Sequence, residues 1–465
     1  MSSPAASGFD PSSVDVEAFL RDVRALRAEI DANVGEEDLS HLRRIERWGR
    51  TATAVGLATC WLAPNPLSAV ALSLGRSTRW LLMHHVGHRG YDRVPGAPVE
   101  RTSKGFAKGA RRFVDWFDWM LPEAWVFEHN VLHHSHTGED ADPDLLERNA
   151  EGSLRRGDIP LALRYTQLAL LAITWRASYY APETLASLRR KRRPDGPLTR
   201  EEWLEVLRSG YAPYAAWNFV VLPALFLPLG AWAGLSALGN SLMAEVLTNL
   251  HTFLVVGPNH TGEDLYRFDS APEGRGERYL QQVLGSANYR TGGDLNDYLH
   301  LWLNYQIEHH IFPDLSMLQY QRVQPKVREL CERHGIPYVQ ESVWTRARKM
   351  VDVVVGKSSM RRLASLGRSK GSGGTASRRG VIGCAPVHTI FVMIKCELGQ
   401  TYKTAAMIAD QVDEAAEVYS TSGGYDLLAK FHLDKAQDIG RFVTERIQTM
   451  PGIKDTYTIT TFSAF

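Results

Sequence analysis

Cysteine is scarce in this chain. Cys60, Cys331, Cys384 and Cys396 are the only four among 465 residues, and no two are spaced as CxxC. That excludes a disulfide framework and fits reduced thiols in a cytosol-facing protein. Charge of one sign is missing too. Lys plus Arg total 53 and Asp plus Glu total 52, so the overall balance gives no reason to expect nucleic acid as a partner. One basic cluster, "RRKRRP" at Arg189–Pro194, is local. The N-terminus lacks the basic start and apolar run of a signal peptide. Residues 1–47 read as a polar segment, disordered over 1–15, with a charged amphipathic helix over 16–48.

Long apolar runs, in contrast, are present. A membrane-crossing helix needs about 20 mostly apolar residues. Residues 51–83 approach that twice, with Pro64 and Pro66 between, which predicts a hairpin of crossings at 48–63 and 66–83 turning at "APNP". Residues 211–257 are long enough for two more, turning near Gly230–Leu235. Trp48, Trp80, Tyr211, Trp217 and Trp232 flank these runs as interfacial aromatics do. Residues 159–175 are interrupted by Arg164 and Gln167 and are expected to lie in the interface. Two crossings then separate Glu128–His136 from His309, which leaves both on one side. The Lys/Arg bias puts that side in the cytoplasm.

The 16 histidines are clustered. "HHVGH" holds His84, His85 and His88; His84 and His88 are four apart and share a helix face. "EHNVLHHSH" holds His129, His133, His134 and His136. "QIEHH" holds Gln306, His309 and His310. His260 follows the last apolar run, preceded by Asn259. His251 and His300 are further candidates, as ligands, as partners of ligands or as core residues. His41 and His334 sit among charges and read as surface residues, and His432 belongs to a separate C-terminal region. One metal takes about four to six ligands, so this inventory predicts two. With no cysteine among the ligands, redox iron fits better than zinc. Asp140, Asp142, Asp144, Glu263, Asp264, Glu308 and Asp314 are the carboxylates near enough in sequence to orient ligands.

These strings resemble the three histidine boxes of membrane fatty acid desaturases: HxxxH (His84, His88), HxxxHH (His129, His133, His134) and QxxHH (Gln306, His309, His310). "NYQIEHHIFP" is especially close to the third box of the front-end group, and the resemblance covers about residues 45–345. It implies a mainly α-helical membrane protein, a four-helix transmembrane bundle capped by a cytoplasmic di-iron centre. Iron ligands would be His84, His88, His129, His133, His134, His260, His309 and His310. His85, His136, His251, His300, Gln306 and Asn259 are possible ligands or their partners, Asn259 through a bound water. The implied reaction is O2-dependent removal of two hydrogens from an acyl-lipid, acyl-CoA or acyl-carrier chain. Trp61, Trp80, Trp217, Phe219 and Phe226 are candidates to line the acyl channel. No HPGG haem motif is present, so electrons are expected from a separate ferredoxin, rubredoxin or cytochrome. Two features depart from the pattern. His85 stands where box one commonly has an acid, and box two has three residues before its HH pair where two are commoner. The same scaffold supports lipid hydroxylation, which is the alternative reaction. A metal-containing membrane sensor or oligomerisation protein is the alternative of another class.

The composition changes after Val355. Residues 356–386 are rich in Gly, Ser and Arg and read as a flexible linker. Residues 387–465 alternate as βαββαβ, ferredoxin-like in order. "TSGGYDLLAKFHL" and "MPGIKDTYTITTF" resemble the ligand-binding domain of Lrp/AsnC regulators. That implies a dimer or higher oligomer and a possible amino-acid ligand, on the cytoplasmic side with the metals. The expected domains are thus 1–47, 48–355, 356–386 and 387–465, in a multi-pass membrane protein (of the inner membrane, if bacterial).

Overall fold

Asp15 accepts a hydrogen bond from the Ala18 amide at 3.0 Å and starts helix α1 (Val16–Ala32), as an acidic N-cap does. Its apolar residues recur at helical spacing, and Phe19, Val23, Leu26 and Ile30 are buried in the main core. The single helix expected over 16–48 is broken at Gly35. There the Asp38 carboxylate reaches back to the Gly35 amide at 2.9 Å and restarts the chain as α2 (Glu36–Thr59). Residues 9–15 are ordered: Asp10 caps a 3-10 turn at Pro11–Ser13, and Pro11 and Val14 are buried. This computed structural model describes residues 9–192, 199–364, 387–412, 414–421, 423–434 and 437–460. The first eight residues and Arg193–Pro194 of the basic cluster lie outside that set.

The "APNP" turn reverses the chain. Asn65 caps the next helix through the Ser68 amide at 2.8 Å, and Pro66 takes its first position, where a missing N–H costs nothing. The result is α3 (Pro66–Gly87), antiparallel to α2. The two approach closely because a Cβ at Gly49 would lie 2.5 Å from Thr78, and one at Gly56 would lie 2.7 Å from Leu72. Small residues at a helix crossing allow this. Further on, α4 (Leu161–Trp175) packs against α6 (Ala231–Val256), and α6 packs along α3. Helix α5 (Arg200–Leu229) precedes α6, and the reversal falls on Gly230, whose φ of +113° suits glycine. Ser73 bonds Thr248, and Ser77 bonds His251. The partners rise together along both chains, so α3 and α6 run parallel and end on the same side.

Among the described residues one helix, α5, is long and apolar enough to cross a membrane. Of the expected four-helix transmembrane bundle the structure shows two helical hairpins, α2–α3 and α5–α6, with membrane-crossing length and composition in α5 alone among the described residues. Both present apolar side chains outward, among them Leu62, Leu67, Val220, Leu225, Trp232 and Leu235.

The short helix α7 (Gln306–Ile311), α8 (Met317–Arg333) and α9 (Val343–Val354) complete the first unit, Met1–Ser369. Part of the expected linker belongs to it, since Arg361–Leu363 pairs in parallel with Tyr266–Phe268. Residues 365–386 lie outside the described set. The second unit, Lys370–Phe465, is α+β. Strands β1 (Val387–Cys396), β2 (Ala415–Ser420), β3 (Leu427–Asp434) and β4 (Ile453–Thr460) form an antiparallel sheet in the order β2-β3-β1-β4. Helix α10 (Thr401–Gln411) and the helical turn from Ile439 complete the βαββαβ order. Ile390, Val392, Ala429 and Phe431 fill its core.

Candidate metal centre

Box one closes α3. His84 and His88 are separated by one helical turn, and His88 caps the helix's C-terminus, its amide bonded to the His84 carbonyl at 3.1 Å. Box two lies on a π-type helix, Val126–His133, in which the His134 amide reaches back five residues to the His129 carbonyl. A π turn accommodates one residue more than an α turn. That accounts for the extra residue of box two, because the widened turn absorbs it and leaves the histidines converging. Box three occupies α7.

The structure brings the boxes together in two groups. His84, His88, His129 and His309 have ligand nitrogens all within 4.8 Å of one another, and so do His133, His260 and His310. His134 stands between, its Nε2 3.1 Å from that of His309 and its ring stacked on His310 at 4.3 Å. His129, His133 and Asp144 form a third, overlapping group.

Which nitrogen points inward follows from what the other one holds. His260 Nδ1 lies 3.0 Å from the Gly285 carbonyl and must donate to it. His133 Nδ1 lies 2.8 Å from Asp142, His310 Nδ1 2.6 Å from the Gln282 amide oxygen, and His309 Nδ1 3.0 Å from the Tyr320 hydroxyl. With Nδ1–H donated outward, a neutral ring turns its Nε2 lone pair into the site, which is the way proteins orient metal-binding imidazoles. His84 Nε2 and His129 Nε2 face each other at 3.1 Å, and His88 Nε2 and His310 Nε2 are buried with no hydrogen-bond partner. Buried polar atoms are nearly always satisfied, so inward-facing lone pairs without partners fit a pair of cations. Burial, then the neighbouring imidazoles, holds His84, His88, His309 and His310 well below the usual imidazole range and keeps them neutral. Burial lowers His133 as well, but the Asp142 and Asp144 carboxylates more than offset it and leave it raised.

The other candidates belong to neither group, although Gln306 and His85 adjoin them. Gln306 donates its amide to His260 Nε2 at 2.9 Å while its oxygen accepts from Asn259, and the Asn259 side-chain oxygen Oδ1 is buried without a partner. His85 bonds the Leu301 carbonyl at 3.4 Å. His136 pairs with Glu139. His251 spends both nitrogens on Ser77 and the Leu299 carbonyl, and His300 bonds the Asn296 carbonyl. His41, expected on the surface, is buried against Trp302, and His334 packs on Phe19 and bonds Asp22. Of the seven carboxylates, Asp142 and Asp144 face the site. Asp140 pairs with Arg267, Asp264 with Arg346, Asp314 with Arg27, and Glu308 with Tyr338 and Asn288; Glu263 is exposed. Tyr320 and Gln282 were not anticipated. Gln282 carried a faint signal, being polar on the buried face of the amphipathic helix Arg275–Leu284.

A cavity of about 510 Å³ opens beside the histidines, a volume in the range of small-molecule sites. His84, His129, His133 and His260 form its polar wall. Trp80, Trp175, Leu168, Leu171, Phe253 and Val256 make the rest apolar, and exposed Gly152, Ser153 and Gln167 mark its outer end. Of the five side chains expected along a channel, Trp80 lines it. Trp217 is instead half-exposed on α5, Phe219 stacks near Trp119, and Phe226 packs with Cys60 and Leu72. Trp61 bonds the Ala58 carbonyl. The channel forms against α4, where the apolar face of a helix interrupted by Arg164 and Gln167 turns toward the histidines.

The family model described as fatty acid desaturase matches residues 59–342, and that of the Lrp/AsnC ligand binding domain matches residues 389–465. The NADPH-dependent stearoyl-CoA 9-desaturase of Mycobacterium tuberculosis is 23% identical over 347 residues, spanning 71% of this chain and 77% of its own. The acyl-lipid (7-3)-desaturase of Rebecca salina is 28% identical over 297 residues, 60% of each chain. The solved structure of E. coli AsnC aligns over 31% of this chain and 87% of that one, at 19% identity and a TM-score of 0.16.

Proposed function

This chain belongs to the fatty acid desaturase family, with an Lrp/AsnC ligand-binding domain at its C-terminus, and from that premise we propose that it is a membrane di-iron fatty acyl desaturase. The observation that carries the proposal is the pair of histidine groups facing an apolar cavity. His84, His88, His129 and His309 would hold one iron, and His133, His260 and His310 the other, with His134 between them. Iron supplies what no side chain can, an oxidant able to take hydrogen from an unactivated CH2 with O2 as co-substrate.

The protein's own residues do the rest. Asp142, Gln282, the Gly285 carbonyl and Tyr320 fix the rings of His133, His310, His260 and His309. Asn259, whose side-chain oxygen is buried without a partner, would hold a metal-bound water, and Gln306 would steady Asn259. The apolar wall excludes bulk water and holds an acyl chain so that one CH2–CH2 unit lies at the histidine face. Supporting a membrane location, both helical hairpins turn apolar side chains outward, and α3 and α6 end together at the site. Four crossings then leave the metals on the cytoplasmic side. We take residues 48–355 as the catalytic domain, and residues 387–465 as a cytoplasmic unit that oligomerises the enzyme and binds a small ligand such as an amino acid.

The test is to express the chain in a bacterial host and map lipid double bonds by mass spectrometry beside the His310→Ala variant. A positionally unique double bond, absent from the variant, is expected. A hydroxylated chain would move the reaction to hydroxylation at the same centre, and a protein that holds no iron would overturn the proposal. The Tyr320→Phe variant is expected to weaken iron binding about 10- to 100-fold, the usual effect of removing a ligand's hydrogen-bond partner. Competitive chelator titration measures it.

A further inference from the structure

A second groove, of about 560 Å³, lies on the outside of the first unit between the charged half of α2 and the start of α8. Arg44, Arg47 and Arg322 line it, together with Glu36 and Glu37. Its floor is His41. Along α2, Arg43, Arg44, Arg47 and Arg50 recur on the exposed face. Arg44 is paired with Asp294, Arg50 with Glu46, and Arg322 with Glu37. Arg43 and Arg47 have no ion pair or hydrogen bond among the described residues. The groove lining, three arginines against two glutamates, is thus weakly basic, with Arg47 uncommitted and Arg43 beside it on the same exposed helix face.

A line of contacts leads inward from that floor. The His41 ring meets Trp302 edge to face at 5.2 Å between centroids. Trp302 follows Leu301, and both hold the left-handed backbone conformation, at φ of +56° and +54°. Non-glycine residues rarely adopt it, and when they do it tends to be at a functional site. Here it aims the Leu301 carbonyl at His85 Nε2, 3.4 Å away. His85 in turn lies 4.9 Å from the His84 ring and 6.3 Å from the His309 ring, both in the first metal group. The histidine standing where an acid is common in box one is thus the link between that group and the outside.

We propose that this groove is the docking site of a small acidic one-electron carrier protein, and that His41, Trp302, Leu301 and His85 carry its electrons to the centre. The inference rests on the desaturase reading. Each turnover needs two electrons. Two reduced carriers are oxidised in succession, and those electrons, two protons and the two substrate hydrogens reduce O2 to two waters as the C–C single bond becomes double. Tunnelling falls steeply with distance through empty space, so a packed, hydrogen-bonded route from an exposed basic groove is the structure such a partner requires. Charge complementarity sets encounter and register. An anionic membrane surface is the competing occupant of an arginine stripe, but Arg43 and Arg47 lie on the polar side of Trp48, and the groove floor leads to the metals.

The test uses the full chain in nanodiscs of neutral phosphatidylcholine, with its iron content measured first, and a reduced plant-type [2Fe–2S] ferredoxin as probe. Arg43→Glu with Arg47→Glu is expected to weaken ferredoxin binding at least about tenfold and to flatten its salt dependence. His41→Leu, which roughly keeps the volume but removes the aromatic contact and the Asp294 bond, is expected to slow oxidation of bound ferredoxin about tenfold or more at saturating ferredoxin, with melting temperature as the folding control. Unchanged ferredoxin binding in the double variant would overturn the docking site. So would a double variant that loses affinity only for vesicles containing phosphatidylglycerol, which would make the stripe a headgroup site. An unchanged rate in His41→Leu would overturn the route. Wild-type protein without iron would fail the desaturase reading itself, while ferredoxin binding to it would still report on the groove.

Discussion

Replacing His309 by alanine is expected to lower iron from about two per chain to about one or none and to bring double-bond formation to background, because this ring belongs to the first group and also touches His134. Its Nε2 lies among those of His84, His88 and His129, and 3.1 Å from that of His134. Removing it opens the first group and frees His134 from the contact that sets its angle between the two. The Tyr320 hydroxyl would also lose the N–H donated to it, though it keeps the Phe312 and Pro313 carbonyls at 2.9 and 3.0 Å. Metal analysis on purified protein separates this loss from unfolding when read beside the melting temperature. The control is His251→Gln. His251 lies nine residues before His260, yet both its nitrogens are spent on Ser77 and the Leu299 carbonyl. Iron should stay at the wild-type level in that variant. If His251→Gln loses iron as completely as His309→Ala, the two groups are not the centre.

The histidines were legible because chemistry needing several imidazoles at one point leaves residues of one type at helical spacing, as at His84/His88 and Gln306/His310. His260 was legible from its place after an apolar run. The hairpin turns were legible in Pro64, Pro66 and Gly230, which act locally. What orients the rings was not legible. Tyr320 comes 11 residues after His309 and Gln282 28 before His310, and only folding of α8 and of Arg275–Leu284 against α7 brings them to the site. The role of the N-terminal segment was hidden for the same reason. Arg27 of α1 grips Asp314 through two bonds, at 2.6 and 2.9 Å, and Asp38 of α2 holds Ser316 and Gln319. Residues that looked like a polar, partly disordered segment thus brace the chain just after the third box. No local pattern announces a partner nearly 300 positions away. His41 was misplaced because charged neighbours in sequence suggested water, whereas the helix turns that one face onto Trp302.

Filling the cavity while leaving every ligand in place should separate substrate selection from metal binding, and Leu171→Trp is the substitution to use. Leu171 lies on α4, half-buried, on the cavity wall that also includes Leu168, Trp175 and Phe253. An indole there takes up space an acyl chain would need without touching a histidine. Overpacking costs about 1–3 kcal/mol where neighbours cannot give way, but here the new side chain has an open cavity of about 510 Å³ to enter. Iron content is therefore expected to equal wild type and the melting temperature to move little. Desaturation of long chains should fall about 10- to 100-fold, the scale on which an apolar pocket discriminates by size. Shorter chains should suffer less, so the ratio of short to long product rises, which a competition assay with acyl chains of graded length reads directly. The apolar wall selects substrate only if size matters this way. Equal losses at all lengths with iron intact would place the acyl chain elsewhere, for instance on the outward apolar faces of α5 and α6.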